Sequence, residues 1–198
     1  MYKIIGFAPA LLKVALECSL DVSVRQAAAL YFKNNISEWW RDPDPEKPGE
    51  ALTFSIHEQD RHTIRNAIIG AVVSSPLPLQ TQLKTALSKI IKADYPSRFP
   101  ELPAQLRHLL SSTDQEHWRG ALVCLHTFVK VYEYRRNDDR NNIIAIMREF
   151  LPILQNAMVN LISNKAEDSL ALQLIILKIF FAFINFHFPL DAMEKEVV

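Results

Sequence analysis

The chain has 198 residues, 49% of them hydrophobic and only four of them glycine, enough apolar material for one continuous core or a short run of stacked repeats. Lysine plus arginine and aspartate plus glutamate both total 22, and no basic run is longer than Arg135-Arg136, so charge gives no footprint for nucleic acid. Cys18 and Cys124 lie far apart on apolar stretches and read as reduced, buried thiols, which suits a cytosolic or nuclear compartment.

The opening MYKIIGFAPALLKVALECS does not read as a signal peptide, for it lacks a basic start, an apolar centre and a small-residue cleavage site in that order. It has no N-cap ahead of its first apolar residues. A helix is predicted from Ala8 or Pro9 to Cys18, with Pro9 tolerable in the first turn. Asp21 is a suitable cap for the next stretch, Val22 to Trp40, which contains neither glycine nor proline and reads as an α-helix. At about 100° per residue, Ala28, Phe32, Ile36, Trp39 and Trp40 share one arc. Gln26, Lys33, Asn34 and Ser37 lie on the other, with Leu30 among them. Arg25 falls inside the apolar arc, where a charge must be paired or reach water. Asp21 or an acid from a neighbouring helix is its expected partner.

Residues 41 to 54, RDPDPEKPGEALTF, hold three prolines, a glycine and four acids and cannot sustain a helix. They read as a solvated connection, or as an acidic lip for a basic partner. Helical periodicity returns from Ile56 to Ser75 through Ile64, Ile68, Ala71 and Val72. His57 and His62 stand five apart, about 140° around a helix, unlike the four-residue spacing of a zinc pair, so they read as surface histidines. Pro76 and Pro78 interrupt, and Leu79 to Ala93 resumes. Pro96 then disfavours helical geometry at Tyr95 and ends that helix. A short helix follows from Pro100 or Glu101 to Leu110. Asp114 caps Gln115 to about Tyr134, and RRNDDRNN reads as a charged turn. Ile143 to Ile162 is helical with a kink or break at Pro152. Ser169 to Phe188 is very apolar, yet Lys178, Asn185 and His187 interrupt it. It reads as a buried helix and not a membrane span.

The second helix of each pair begins alike, at Arg25-x-Ala27, Lys84-x-Ala86, Arg119-x-Ala121 and Leu170-Ala171. The alanines recur at intervals of 59, 35 and 50 residues, and Arg25 to Lys33 matches Lys84 to Lys92 in spacing. Two-helix repeats of the HEAT kind run about 40–47 residues and tolerate uneven loops. The expected architecture is therefore all-α, an α-solenoid of about four antiparallel two-helix hairpins spanning residues 1–198. Each hairpin buries a face on its neighbour. There is no glycine-rich phosphate loop, no Gly-x-Ser-x-Gly elbow and no Cys/His cluster with ligand spacing. No catalytic residue, metal or cofactor is expected; a binding module is.

The string Arg25-Gln-Ala-Ala-Ala-Leu-Tyr-Phe-Lys33-Asn34, followed by the aromatic pair Trp39-Trp40, resembles the N-terminal repeats of the importin-β superfamily. The branch containing importins seven and eight is most similar. Tyr2-Lys-Ile-Ile-Gly-Phe-Ala-Pro-Ala-Leu-Leu12, Ile56-His-Glu-Gln-Asp-Arg61 and Asp94-Tyr-Pro96 with Phe99-Pro100 support it, although the last motif usually carries tryptophan where this chain has Phe99. The likeness runs to about Phe188, and the pattern places a further repeat ahead of the first hairpin, one this chain largely lacks.

The resemblance implies a nuclear transport receptor that binds the GTPase Ran in its GTP form and shuttles between cytoplasm and nucleus. It would release import cargo proteins when Ran·GTP binds. Nucleoporin contacts are implied mainly for repeats at or beyond the end of this chain. Nucleic acid and membrane insertion are not expected. On the matching positions, Gln26, Lys33 and Asn34 are the Ran-binding candidates, and Arg25, Asp21, Trp39, Trp40, Asp94 and Pro96 the structural ones. The alternative from another class is a HEAT scaffold that assembles proteins without Ran.

Overall fold

The computed structural model describes residues 5–42, 54–112, 114–134, 138–163 and 166–185. Among them are eight α-helices and no strand: α1 Phe7–Leu16, α2 Val22–Trp39, α3 Glu58–Ser74, α4 Leu77–Asp94, α5 Leu102–Leu110, α6 Gln115–Tyr132, α7 Asp138–Ile162 and α8 Glu167–Ile184. They fall into two compact units, Met1–Phe99 and Pro100–Val198.

In the first unit α1 packs on α2 and α3 on α4, while α2 also packs on α4 and α1 on α3. Small side chains set the approach where three helices meet: Ala15 of α1, Ala28 and Ala29 of α2 and Leu79 of α4 form one buried cluster, with Val14 against it. Phe32, Ile36, Ile64, Ile68, Leu83 and Leu87 extend the core at almost complete burial. Side chains of this size contribute about 1.5–3 kcal/mol each when fully buried.

Local chemistry sets the helix ends. The Asp21 carboxylate accepts from the Ser23 backbone N–H at 2.8 Å, satisfying one of the orphan donors of α2. His57 Nδ1 does the same for the Gln59 N–H of α3 at 3.2 Å. Pro78 sits in the first turn of α4, where its lack of an N–H costs nothing. At the other end Tyr95 is extended at ψ 137°, as the following Pro96 requires.

The first unit also holds buried charge. Asp94 is 1% exposed and receives Arg65 Nη1 at 2.8 Å, so an ion pair ties α3 to the end of α4. Arg65 bonds Glu58 as well. Burial works against the Arg65 charge, but the bonds to Glu58 and Asp94 outweigh it and push its pKa up.

In the second unit α6 packs on α5, α7 and α8, and α7 packs on α5 and α8. Phe128, Phe150 and Phe183 are its largest fully buried residues, and Phe128 meets Tyr132 edge-on at 5.8 Å. Cys124 is buried there, and loss of solvent pushes its thiol up to about 12.

Several expectations need correction. The first helix stops at Leu16, so Cys18 lies beyond it and is exposed, not buried. It starts at Phe7 behind Gly6, whose left-handed φ of 88° suits a residue without a side chain. The Gly6 N–H donates to Asp60 Oδ2 of α3 at 2.8 Å. The charged run expected as a turn is partly helical, because α7 begins at Asp138. That helix continues through Pro152 without a break. The last helix is buried on one face only, through Ser169, Leu172, Ile176, Ile179, Ala182 and Phe183. Leu170, Leu174, Leu177 and Phe181 of α8 are more than half exposed. Residues 43–53, the body of the expected acidic lip, and His187 lie outside the described residues.

Candidate docking surface

The sequence places its three partner-binding candidates on α2, and the first question is what that helix does with them. Its buried face comprises Ala28, Ala29, Phe32, Asn35 and Ile36. Gln26 and Asn34 are exposed and Lys33 is half-buried. None of the three supplies a core contact that the fold needs. Between them on the same side stand Leu30 at 43% and Tyr31 at 58% exposure. The surface is thus mixed: two apolar side chains bordered by an amide pair, a lysine and the exposed Glu38. Protein interfaces are built this way, with apolar or aromatic anchors inside a polar rim. The position of Leu30 on this side was readable from helical periodicity. The exposure of Tyr31 was not.

Arg25 lies half-buried on the edge of that helix. Its Nε donates to the carbonyl of Ala15 at 3.1 Å, in the last turn of α1, where carbonyls lack a helical partner. Asp21, the local partner expected for it, is turned instead to the Ser23 N–H at 2.8 Å and hydroxyl at 2.5 Å. Those two bonds, the hydroxyl first, hold the Asp21 carboxyl below the ordinary carboxylate range. The reason is geometric: a capping carboxylate faces the helix end and cannot also reach back along its side. Trp40 is 2% exposed, and its indole Nε1 finds no partner among the described residues. Trp39 is less buried and meets Phe54 edge-on at 5.8 Å.

A second feature lies beyond the C-terminal end of α2. Asp42 accepts both terminal nitrogens of Arg61, at 2.6 and 3.2 Å, and Arg98 Nη1 at 3.4 Å. The bond from Arg61 is the main reason its carboxyl titrates below the usual value, and Arg98 adds to it. One carboxylate thereby joins the segment after α2 to α3 and to the segment after α4. Reading residues 41–54 as a loop acidity missed this, because the partners are remote in sequence. These residues border an open cleft of about 610 Å³ that Ile5, Phe54 and Ile56 also line. No trio of histidine, cysteine, aspartate or glutamate able to hold a metal occurs among the described residues. Among the described residues no helix is long and apolar enough to cross a membrane.

Residues 1–74 match the importin-beta N-terminal domain. Importin-8 of Homo sapiens is 39% identical over all 198 residues, and Exportin-2 of Homo sapiens 32% identical over 84% of the chain. Among solved structures, the exportin Cse1 in its cargo-free, cytoplasmic state superposes on 96% of the chain with a TM-score of 0.81 at 26% identity. The chain spans 19% of the Importin-8 length and 21% of the Cse1 chain. Its eight helices form an α-solenoid of the kind those receptors have. The chain belongs to the importin-β superfamily, on the branch of importins seven and eight.

Proposed function

We propose that the chain is the Ran-binding portion of a nuclear transport receptor, and that the exposed face of α2 carries part of the contact. The observation behind this is Leu30 and Tyr31, left in solvent between Gln26, Lys33 and Asn34 on a helix whose other face is fully used by the core. Lysine supplies a mobile cation for acidic groups on the GTPase. Glutamine and asparagine supply paired donors and acceptors. The likeness to Importin-8 over the whole chain supports import as the direction of transport, with shuttling between cytoplasm and nucleus. Cargo would occupy further repeats, and Ran·GTP would displace it because one ligand's affinity depends on the other. The role is one of binding, not catalysis.

The test titrates Ran·GTP and Ran·GDP against the chain. Lys33→Glu combined with Asn34→Ala should weaken Ran·GTP binding by about 1–2 kcal/mol, the worth of a charge-assisted contact. Helical content should stay unchanged, since both residues lie off the core. Binding untouched by the pair would move the GTPase to another surface. Equal binding of both nucleotide states would favour a scaffold.

A further inference from the structure

Helix α4 carries a charge pattern that its packing does not explain. Its buried face is Leu79, Leu83, Ala86, Leu87, Ile90, Ile91 and Asp94. Around the rest of the helix stand Lys84, Lys89 and Lys92, of which Lys89 and Lys92 are exposed and Lys84, on the flank of the buried face, partly so. The one acid of the helix, Asp94, is buried and held by Arg65, so it cannot offset them. None of the three lysines forms an ion pair with a described residue. Two of the hydroxyls beside them are already engaged. Thr81 donates to the Leu77 carbonyl and Thr85 to the Thr81 carbonyl, both at 3.0 Å. What this face offers a partner is chiefly three ammonium groups, with the Ser88 hydroxyl and the Gln82 amide beside them.

Such an arrangement works slightly against the helix itself, because like charges three residues apart repel. Alternating opposite charges along an exposed helix face would offset one another, and α4 has no exposed acid to do so. We infer that the exposed face of α4 is a docking surface for an acidic protein segment, one presenting glutamates or aspartates to Lys84, Lys89 and Lys92. Charge complementarity selects that occupant. A nucleic-acid strand fits less well: the face has no arginine to fork onto phosphate and no aromatic ring on which a base could stack. The inference needs only the charge and exposure of α4, so it stands whether or not α2 binds the GTPase.

The experiment measures binding of a fluorescent dodeca-glutamate peptide to the full chain, at low and at physiological ionic strength. The chain should bind the peptide, more weakly as salt screens the contact. Lys84→Gln, Lys89→Gln and Lys92→Gln together should reduce affinity about tenfold or more. Lys13→Gln, on the exposed lysine of α1, should leave it unchanged. A circular-dichroism melt confirms that the triple variant is folded; the three single variants, each expected to lose a smaller factor, serve if it is not. An oligothymidylate of equal length is the comparison. Absence of peptide binding, peptide binding indifferent to the three lysines, or tighter binding of the oligothymidylate through them would each overturn the assignment.

Discussion

Arg25 shows how much a single side chain's neighbours decide. Helical periodicity puts it on the apolar arc, and from that position alone a buried ion pair is the natural expectation. Instead its Nε caps the carbonyl of Ala15 while the rest of the group stays half in solvent. The cost of removing it is that of one hydrogen bond to the carbonyl of the fully buried Ala15, and not of an orphaned buried charge. Arg25→Ala should lower stability by about 1–3 kcal/mol, because a buried acceptor is left unsatisfied, seen as a lower urea midpoint with an unchanged slope. An unmoved midpoint would mean that water replaces the guanidinium without loss. Asp42 makes a different prediction. The Arg61 bond depresses its pKa in the folded chain, so its contribution is complete above the unfolded value of about 3.9 and disappears as pH falls through the lower, folded one. The stability gap between the chain and Asp42→Asn should accordingly be widest near neutrality and close below about pH 4. Equilibrium unfolding of both proteins across that range checks it, and a gap independent of pH would remove the carboxylate from the account.

At the scale of the helix, periodicity found the eight helices of the described residues; proline marks the connections after α2, α3 and α4, and the capping residues Asp21 and Asp114 mark the starts of α2 and α6. Their ends were less legible. The start of α4 moved forward to Leu77, since proline is harmless in a first turn, and Pro152 was absorbed inside α7. The candidate surface was half legible: Gln26, Lys33 and Asn34 follow from the pattern of α2, whereas the Asp42, Arg61 and Arg98 cluster depends on contacts 19 and 56 residues apart. The pair between Arg65 and Asp94 has the same origin and is a buried ionic link between α3 and the end of α4. Arg65→Ala leaves Asp94 charged and buried, which should cost about 3–5 kcal/mol. Replacing both, as Arg65→Met with Asp94→Leu, should cost much less than the sum of the single changes. Thermal or urea unfolding of the four proteins yields the coupling, and additive losses would show that the two groups do not depend on each other.

Over the whole molecule, the apolar surface is unevenly shared. In the first unit the exposed apolar side chains fall in short groups, Leu20 with Val22 and Val24 and Leu30 with Tyr31. In the second they gather. Leu170, Leu174, Leu177 and Phe181 recur along α8 at helical spacing, each between 52% and 57% exposed. Val159 and Ile162 of α7 are exposed at 65% and 68%. Residues on one stripe of a helix expose a continuous patch, and patches of this kind drive association unless covered. Repeat stacks meet this condition at any face that no neighbouring repeat covers. The chain in dilute buffer should therefore bind a hydrophobic dye in its folded state and self-associate as concentration rises. Leu174→Glu with Leu177→Lys should suppress both, at little cost in stability because neither residue belongs to the buried face of α8. Sedimentation velocity over a concentration series, with dye fluorescence on the same samples, separates the outcomes. A monomer at every concentration, with no dye signal before unfolding, would show that the stripe is masked in solution.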